Sequence, residues 1–338
     1  MIARLVLLAA FAASAQTAGP TVTMLKERFV SSVEDADRAA TLDLLAKTAP
    51  NSGQDVAALF DLFSRDATPA VRQAAMDSLT LIARDSPQLE PIFVNYLNQP
   101  EPEAQLFGVN GAFRLRARSA LPQIWAIAKR RFTLPTASAT AVLSERNAWW
   151  TQYEALSALA QWEGKKTLSL LRSKADESPS VAGLLGRFFW SQTLPELGMW
   201  SRSDDAVTRQ KASEAARAPI PPADARATRD AMLALMKDPL NDEELRHQLA
   251  LKIGACSDDA EAETLVAEHD QAADERARLL WAAAAFASRS NKVVPLLVRY
   301  ARQSPDELSR RAALAQLADM LGPDQAGALL EDGKKPDK

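Results

Sequence analysis

The sequence of 338 residues contains one cysteine and two histidines. A single cysteine cannot form an internal disulfide, so export would not be accompanied by covalent cross-links. The pairs that could bind a metal together, His247 with Cys256 and His269 with Asp270, lack the spacing of known zinc motifs. Cys256 is expected to be a buried, unreactive thiol. We therefore expect no metal and no cofactor.

Glycine is scarce, at 12 residues, and segments of alternating β-branched residues are few. Alanine, leucine, arginine and glutamate, which favour helix over strand, are abundant instead. Because 47% of the residues are hydrophobic, a chain of this length can bury a sizeable core without cross-links. The composition predicts an all-α protein.

Recognisable catalytic motifs are also missing. The chain has no Gly-x-Ser-x-Gly elbow. The paired carboxylates Asp204-Asp205 and Asp258-Asp259 fall at turns or first helical turns, where they complement exposed backbone N–H groups. We expect a protein that is not an enzyme.

The chain begins with a long apolar run. Arg4 precedes the apolar segment 5–12, and the small residues Ala13-Ser14-Ala15 follow it. This order predicts a secretory signal peptide at residues 1–15, and the run is too short to span a bilayer. A retained N-terminal anchor is the alternative. We expect a periplasmic or secreted protein with no integral membrane segment after signal cleavage.

The clearest local pattern is a turn followed by a helix at residues 66–83. Thr68 can serve as the N-cap, and Pro69 suits the first helical position. Apolar and small residues then recur at spacings of three and four, which places them on one helical face. They are Val71, Ala74, Ala75, Ser78, Leu79 and Ile82.

The same pattern recurs along the chain, as a polar residue followed by apolar or small residues three, seven and ten positions later. With Arg72 as the reference, the copies begin at Gln105, Gln152, Arg246, Arg276 and Arg310. Amphipathic partner helices precede the copies, and turn residues separate the partners. Repeated helix, turn and helix units are typical of an α-solenoid.

These residues resemble the second helix of a HEAT repeat, in its short bacterial form. The resemblance rests on a turn Asp, a hydrophobic-Arg pair and an Ala-Ala run before Leu, at Asp66, Val71-Arg72, Ala74-Ala75 and Leu79, with echoes at Asp238, Leu245-Arg246, residues 310–313 and Leu317. It covers about residues 50–330. It implies a right-handed α-solenoid of stacked antiparallel helix pairs, in which Arg72 holds a turn carboxylate such as Asp66. The resemblance implies no catalytic residue in this chain.

Two stretches depart from the repeat. Residues 133–144 are rich in Ser, Thr and Ala and predict an exposed loop. Residues 198–222 end in Pro219-Ile220-Pro221-Pro222, which cannot continue a helix. We predict N-terminal repeats at 16–197, an irregular linker at 198–222 that divides the solenoid into two arms, C-terminal repeats at 223–330 and a solvated tail at 331–338.

Acidic residues are absent between Glu103 and Glu145, although the whole chain has a net charge of −3. The basic residues of this tract are Arg114, Arg116, Arg118, Lys129, Arg130 and Arg131. Basic residues at helix C-termini complement the helix dipole, which is the structural alternative. The functional interpretation is a surface for an anion or an acidic partner.

Six of the seven tryptophans fall between residues 125 and 200. Trp149 and Trp150 are adjacent, so on a helix they point about 100° apart and one of them can be exposed. Beside the basic tract, an exposed ring could stack on a planar or sugar-like ligand or anchor a partner chain. The predicted site comprises Arg114, Arg118, Lys129, Arg130, Trp149, Trp150 and Arg187.

Solenoid surfaces mostly bind other macromolecules. The first hypothesis is therefore an exported interaction scaffold that binds a protein partner. An alternative is binding of a cell-wall glycan or another anionic ligand at the central Trp/Arg region. HEAT-like repeats also resemble those of phycobilin lyases and of one class of DNA glycosylases, but predicted export argues against both enzymes and against a nucleic-acid partner.

Overall fold

The computed structural model of the chain describes residues 22–48, 71, 74–75, 77–78, 89–132 and 141–331. Within these ranges every regular element is a helix, which confirms the all-α prediction. None of the helices described there combines the length and apolar character that a membrane crossing requires. The predicted signal peptide, the tail from residue 332, Asp66 and Arg72 lie outside the described residues.

The helices form two compact units, divided between Leu159 and Ala160. The first unit contains α1 (Val22–Ser31), α2 (Asp35–Thr48), α3 (Glu90–Leu97), α4 (Pro102–Leu115), α5 (Leu121–Ala128) and most of α6 (Ala141–Glu163). Helices α1 and α2 pack together, as do α3 and α4. Part of the reference repeat is visible in this unit, because Val71 and Ala75 are fully buried and the Ser78 hydroxyl donates to the Leu42 carbonyl over 3.2 Å.

The second unit is also built from helices that pack in pairs. Its helices are α7 (Leu168–Glu177), α8 (Ala182–Phe188), α9 (Trp190–Ser201), α10 (Ala206–Arg217), α11 (Pro222–Ala227), α12 (Arg229–Lys237), α13 (Glu243–Ala255), α14 (Asp259–Gln271), α15 (Glu275–Ala287), α16 (Val294–Gln303), α17 (Glu307–Leu321) and α18 (Pro323–Glu331). Consecutive helices pack as pairs, namely α9 with α10, α12 with α13, α14 with α15, and α16 with α17.

The stretch predicted as an irregular linker, 198–222, differs from expectation. It contains the whole of α10, whose Ala212, Ala215 and Ala216 are fully buried. Asp205 caps this helix by accepting a hydrogen bond from the Thr208 backbone over 2.8 Å. A short helix built on alanine carries little hydrophobic signal, and the flanking Ser, Asp and Pro residues obscured it.

Two turns of the second unit are held by the same set of hydrogen bonds. Asp205 and Asp306 each accept hydrogen bonds from the backbone and hydroxyl of the residue three positions later. Arg209 donates to the carbonyls of Ser203 and Asp204, at 2.7 and 2.9 Å, and Arg310 donates to the Ser304 carbonyl. At both turns the arginine four positions after the cap therefore binds main-chain carbonyls of its own turn, whereas the aspartate caps the helix.

One copy of the repeat was predicted in the wrong register. The residues expected to be buried after Arg276 include Leu279, which is 47% exposed, whereas Leu280, Trp281, Ala284 and Ala285 are buried. Arg278 stands four residues after the cap Asp274, as Arg246 does after Asp242 and Arg310 after Asp306. With Arg278 as the reference, positions 246, 278 and 310 are spaced by 32 residues each.

Removing the guanidinium of Arg209 is expected to destabilise the second unit. Arg209→Met would leave two turn carbonyls without their charged donor, at a cost of about 1 to 2 kcal/mol in unfolding free energy. Arg209→Lys keeps the charge but cannot present two donors in a fixed plane, so its loss should be smaller. Urea unfolding of the three proteins measures this order, and equal stability of all three would contradict it.

Candidate binding site

Four aromatic side chains form a cluster on α6 and at the end of the preceding segment. The Trp149 and Tyr153 rings stack at 5.1 Å with an interplanar angle of 16°, because residues four apart lie one helical turn from each other. Trp150 meets the Trp149 ring edge-on at 4.9 Å, and the Phe132 ring lies 6.1 Å from Trp149. Trp150 is 39% exposed. We call these four residues the aromatic cluster.

The basic end of α5, residues Lys129–Arg131, lies beside this cluster. All three side chains are exposed, and Phe132 of the cluster follows them directly. The Gln152 side-chain amide on α6 donates to the carbonyls of Ala128 and Arg130, which fixes α6 against the end of α5. The Lys129 ammonium lies 5.3 Å from the centre of the Trp125 ring, where a cation–π attraction holds it.

Arg130 lies with this group, whereas Arg114 and Arg118 lie apart from it. Arg130 donates to the Gln105 side chain over 2.7 Å, which places it at the first turn of α4. Arg114 is in the last turn of the same helix, nine residues and therefore roughly 14 Å further along its axis, and Arg118 follows just after it. The structure thus brings Lys129, Arg130, Trp149 and Trp150 together at one end of α4 and leaves Arg114 and Arg118 at the other.

Arg187, the seventh predicted residue, belongs to the second unit. It is in the last turn of α8, and its guanidinium lies 5.2 Å from the centre of the Phe188 ring. Its contact with the next residue along the chain is a local one. The predicted site residues that lie close together are therefore those of the aromatic cluster and the basic end of α5.

The structure contains a second candidate site, which was not predicted from the sequence. A cleft of about 690 Å³ opens in the second unit between the ends of α14 and α16 and the first turns of α15 and α17. Polar, charged and apolar side chains line it, including His269, Asp270, Arg278, Leu279, Arg299 and Tyr300. Tyr300 is thirty residues from Asp270 along the chain, so only the packing of helices brings it to this pair. We call this opening the cleft.

Hydrogen bonds fix the inner wall of the cleft. His269 is 3% exposed, and its Nδ1 lies 2.9 Å from Asp270 Oδ1 while its Nε2 lies 3.0 Å from the Tyr300 hydroxyl. Arg299 also donates to Asp270 over 2.5 Å. Burial lowers the pKa of His269 and raises the pKa of Tyr300. At neutral pH the imidazole is therefore uncharged and the phenol protonated, so the two groups form a neutral hydrogen-bonded pair in the wall of the cleft.

Cys256 is buried, and burial raises the pKa of its thiol, as expected for an unreactive cysteine. Among the residues that the structure describes, no group of three or more His, Cys, Asp or Glu side chains could hold a metal ion.

Comparisons with known proteins give no family for this chain. No protein-family model matches the sequence, and no curated protein matches it either.

Proposed function

We propose that this protein is an exported, non-enzymatic interaction scaffold, a HEAT-like α-solenoid that binds a protein partner. The observation that carries the proposal is Trp150, whose exposed ring stands in the aromatic cluster beside the basic end of α5. Tryptophan and arginine are the residue types that most often dominate the binding energy of an interface. An aromatic anchor beside exposed cations suits a partner that carries an apolar pocket rimmed by carboxylates.

The arrangement of the cluster supports an anchoring role. Trp150 contacts both Trp149 and Tyr153 edge-on, at 4.9 and 5.8 Å between ring centres. These contacts hold the indole in place before binding, so less side-chain entropy is lost when a partner covers it. The stacked pair behind it is thus a rigid support for the exposed ring.

An anionic ligand, such as an acidic cell-wall glycan, is the second candidate for the same surface. The exposed face of Trp150 could stack on a sugar ring, and Lys129 and Arg131 could bind carboxylate or phosphate groups. The tract from 104 to 144 contributes no carboxylate that would repel such a ligand. Binding to purified peptidoglycan distinguishes this candidate from a protein partner.

Trp150→Ala combined with Arg131→Glu is expected to abolish partner capture from an envelope extract by the immobilised protein. Loss of an aromatic anchor costs about 2 kcal/mol or more, which is roughly 30-fold in affinity before the charge reversal is counted. The matched control, Arg114→Glu with Arg118→Glu, changes charge at the far end of α4 and should leave capture unchanged. Equal capture by both variants would remove this surface from consideration.

A further inference from the structure

The turns within the helix pairs of the second unit line up along one edge. Arg202, after α9, pairs with Asp238 after α12. Lys237, at the end of α12, pairs with Glu268 near the end of α14 over 3.1 Å, and Arg299 near the end of α16 pairs with Asp270. These contacts link each turn to the next. We call this border of the second unit, formed by the turns α9–α10, α12–α13, α14–α15 and α16–α17, the turn edge.

Large apolar side chains are exposed along the turn edge. Five of the seven that are exposed among the described residues of the second unit lie within one helical turn of it. Their exposures range from 45% to 75%, and they are Met199, Val207, Leu240, Leu279 and Leu308. Single exposed apolar residues are ordinary, but a series along one border marks an interaction surface.

Carboxylates without an ion-pair partner accompany these apolar residues, and four of them also cap helices. Six carboxylates at the turns make no ion pair with any residue that the structure describes, namely Asp204, Asp205, Asp242, Glu243, Asp274 and Asp306. Four exposed cations of the edge are paired with carboxylates, namely Arg202, Lys237, Arg299 and Arg311. Arg302 donates instead to the Leu329 carbonyl, and Arg276 makes no ion pair with the residues that the structure describes. Hydrogen bonds from Thr208 and Ser309 lower the pKa of Asp205 and Asp306, so both are charged at neutral pH.

The cleft opens on the turn edge at the α14–α15 turn, where the arginine that follows the cap has a different partner. Arg278 occupies the position at which Arg209 and Arg310 bind their own turns, but it pairs with Glu275 at 2.9 Å and lines the cleft. Leu279 and Tyr300 give the cleft an apolar floor. An apolar side chain of a partner would meet these two groups and remain within reach of the surrounding carboxylates.

From this juxtaposition we infer that the turn edge binds a basic amphipathic segment of a partner protein, with lysine or arginine on one side and apolar residues on the other. The apolar residues would cover Leu240, Leu308 and the cleft, and the cations would pair with the carboxylates that make no ion pair within the described residues. Nucleic acids and anionic membrane surfaces are disfavoured because the same carboxylates repel them. This surface is separate from the aromatic cluster, so each can be tested alone.

A labelled helical peptide with a leucine face and a lysine face is the probe for the full-length protein, with fluorescence anisotropy as the readout. Binding tighter than about 100 µM, weakened by added salt, is expected. A peptide with glutamate in place of lysine, and one with serine in place of leucine, should not bind. Failure of the lysine peptide to bind, or equal binding of the glutamate peptide, overturns the inference.

The matched variants locate the binding. Leu240→Ser with Glu243→Lys changes two exposed side chains of the turn edge and should weaken peptide binding by about tenfold or more. Leu314→Ser with Asp224→Lys makes the same kinds of change at mid-α17 and at the first turn of α11, away from the edge, and should leave binding unchanged. Equal effects of the two double variants would show non-specific adsorption, whereas the Trp150 test is unaffected by either result.

Discussion

Replacing Gly254 with alanine is expected to destabilise the second unit, although alanine is the better helix former. A Cβ atom at this position of α13 would lie 2.0 Å from the Ala284 carbonyl oxygen and 2.7 Å from the Ala287 methyl group. The gain in helix propensity is about 1 kcal/mol, whereas forcing the two helices apart costs typically 1 to 3 kcal/mol and more when backbone must move. We expect a net loss of about 2 kcal/mol.

The same substitution at Gly327 is the control. Gly327 lies in α18, and a Cβ atom there would meet nothing within 4 Å. Gly327→Ala should therefore be neutral or stabilising by up to about 1 kcal/mol. The urea midpoint of Gly254→Ala should fall relative to the unmodified protein, whereas that of Gly327→Ala should stay unchanged or rise. A stabilising effect of Gly254→Ala would show that α13 and α15 do not approach as closely as described.

Acidification from pH 7 to pH 5 is expected to destabilise the second unit through His269. Burial lowers the pKa of this imidazole in the folded state, so the unfolded chain takes up its proton first, below its ordinary value of about 6.5. The free energy of unfolding contributed by the neutral imidazole is therefore complete above pH 6.5 and falls as the pH drops toward the folded pKa. For one proton the slope is at most about 1.4 kcal/mol per pH unit.

The two histidines of the chain make a matched pair for this measurement. His269→Gln removes the buried titrating group and should flatten the dependence of the urea midpoint between pH 7 and 5. His247→Gln alters an exposed side chain on α13 and should leave the slope intact. Asp270, whose pKa the His269 hydrogen bond lowers, affects stability only at lower pH, below its own ordinary range. An unchanged slope in His269→Gln would contradict the assignment.

The helical pattern was predictable because it is local. Caps, prolines and three-to-four spacing act within a few residues, so α13 and α17 follow from sequence alone. The register of an individual repeat copy was harder to predict. Arg276 and Arg278 are both followed by small and apolar residues, and only the cap at Asp274 decides between them. Helix α10 was hidden because alanine buries little apolar area and its flanks contain turn residues.

The candidate sites show where local reasoning fails. Because Trp149 and Trp150 are adjacent on a helix, their side chains had to point in different directions. The sequence did not decide which one is exposed, and in the structure it is Trp150. The position of Arg114 relative to Arg130 depended on the contact of Arg130 with Gln105 at the first turn of α4, which charge patterning does not reveal. The cleft could not be anticipated, because His269 and Tyr300 meet only through the packing of two helix pairs. Its one sequence signal is the adjacent pair His269-Asp270, whose residue types indicate no more than possible metal ligands.

Site-specific photocrosslinking in living cells tests the proposed function most directly. A photoreactive amino acid at position 150 of the full-length protein should give one discrete crosslinked product with a partner protein on illumination. The same amino acid at Arg114, exposed at the far end of α4, should not give that product. Absence of a discrete product from position 150, or the same products from both positions, would contradict an interaction scaffold that uses the Trp150 surface.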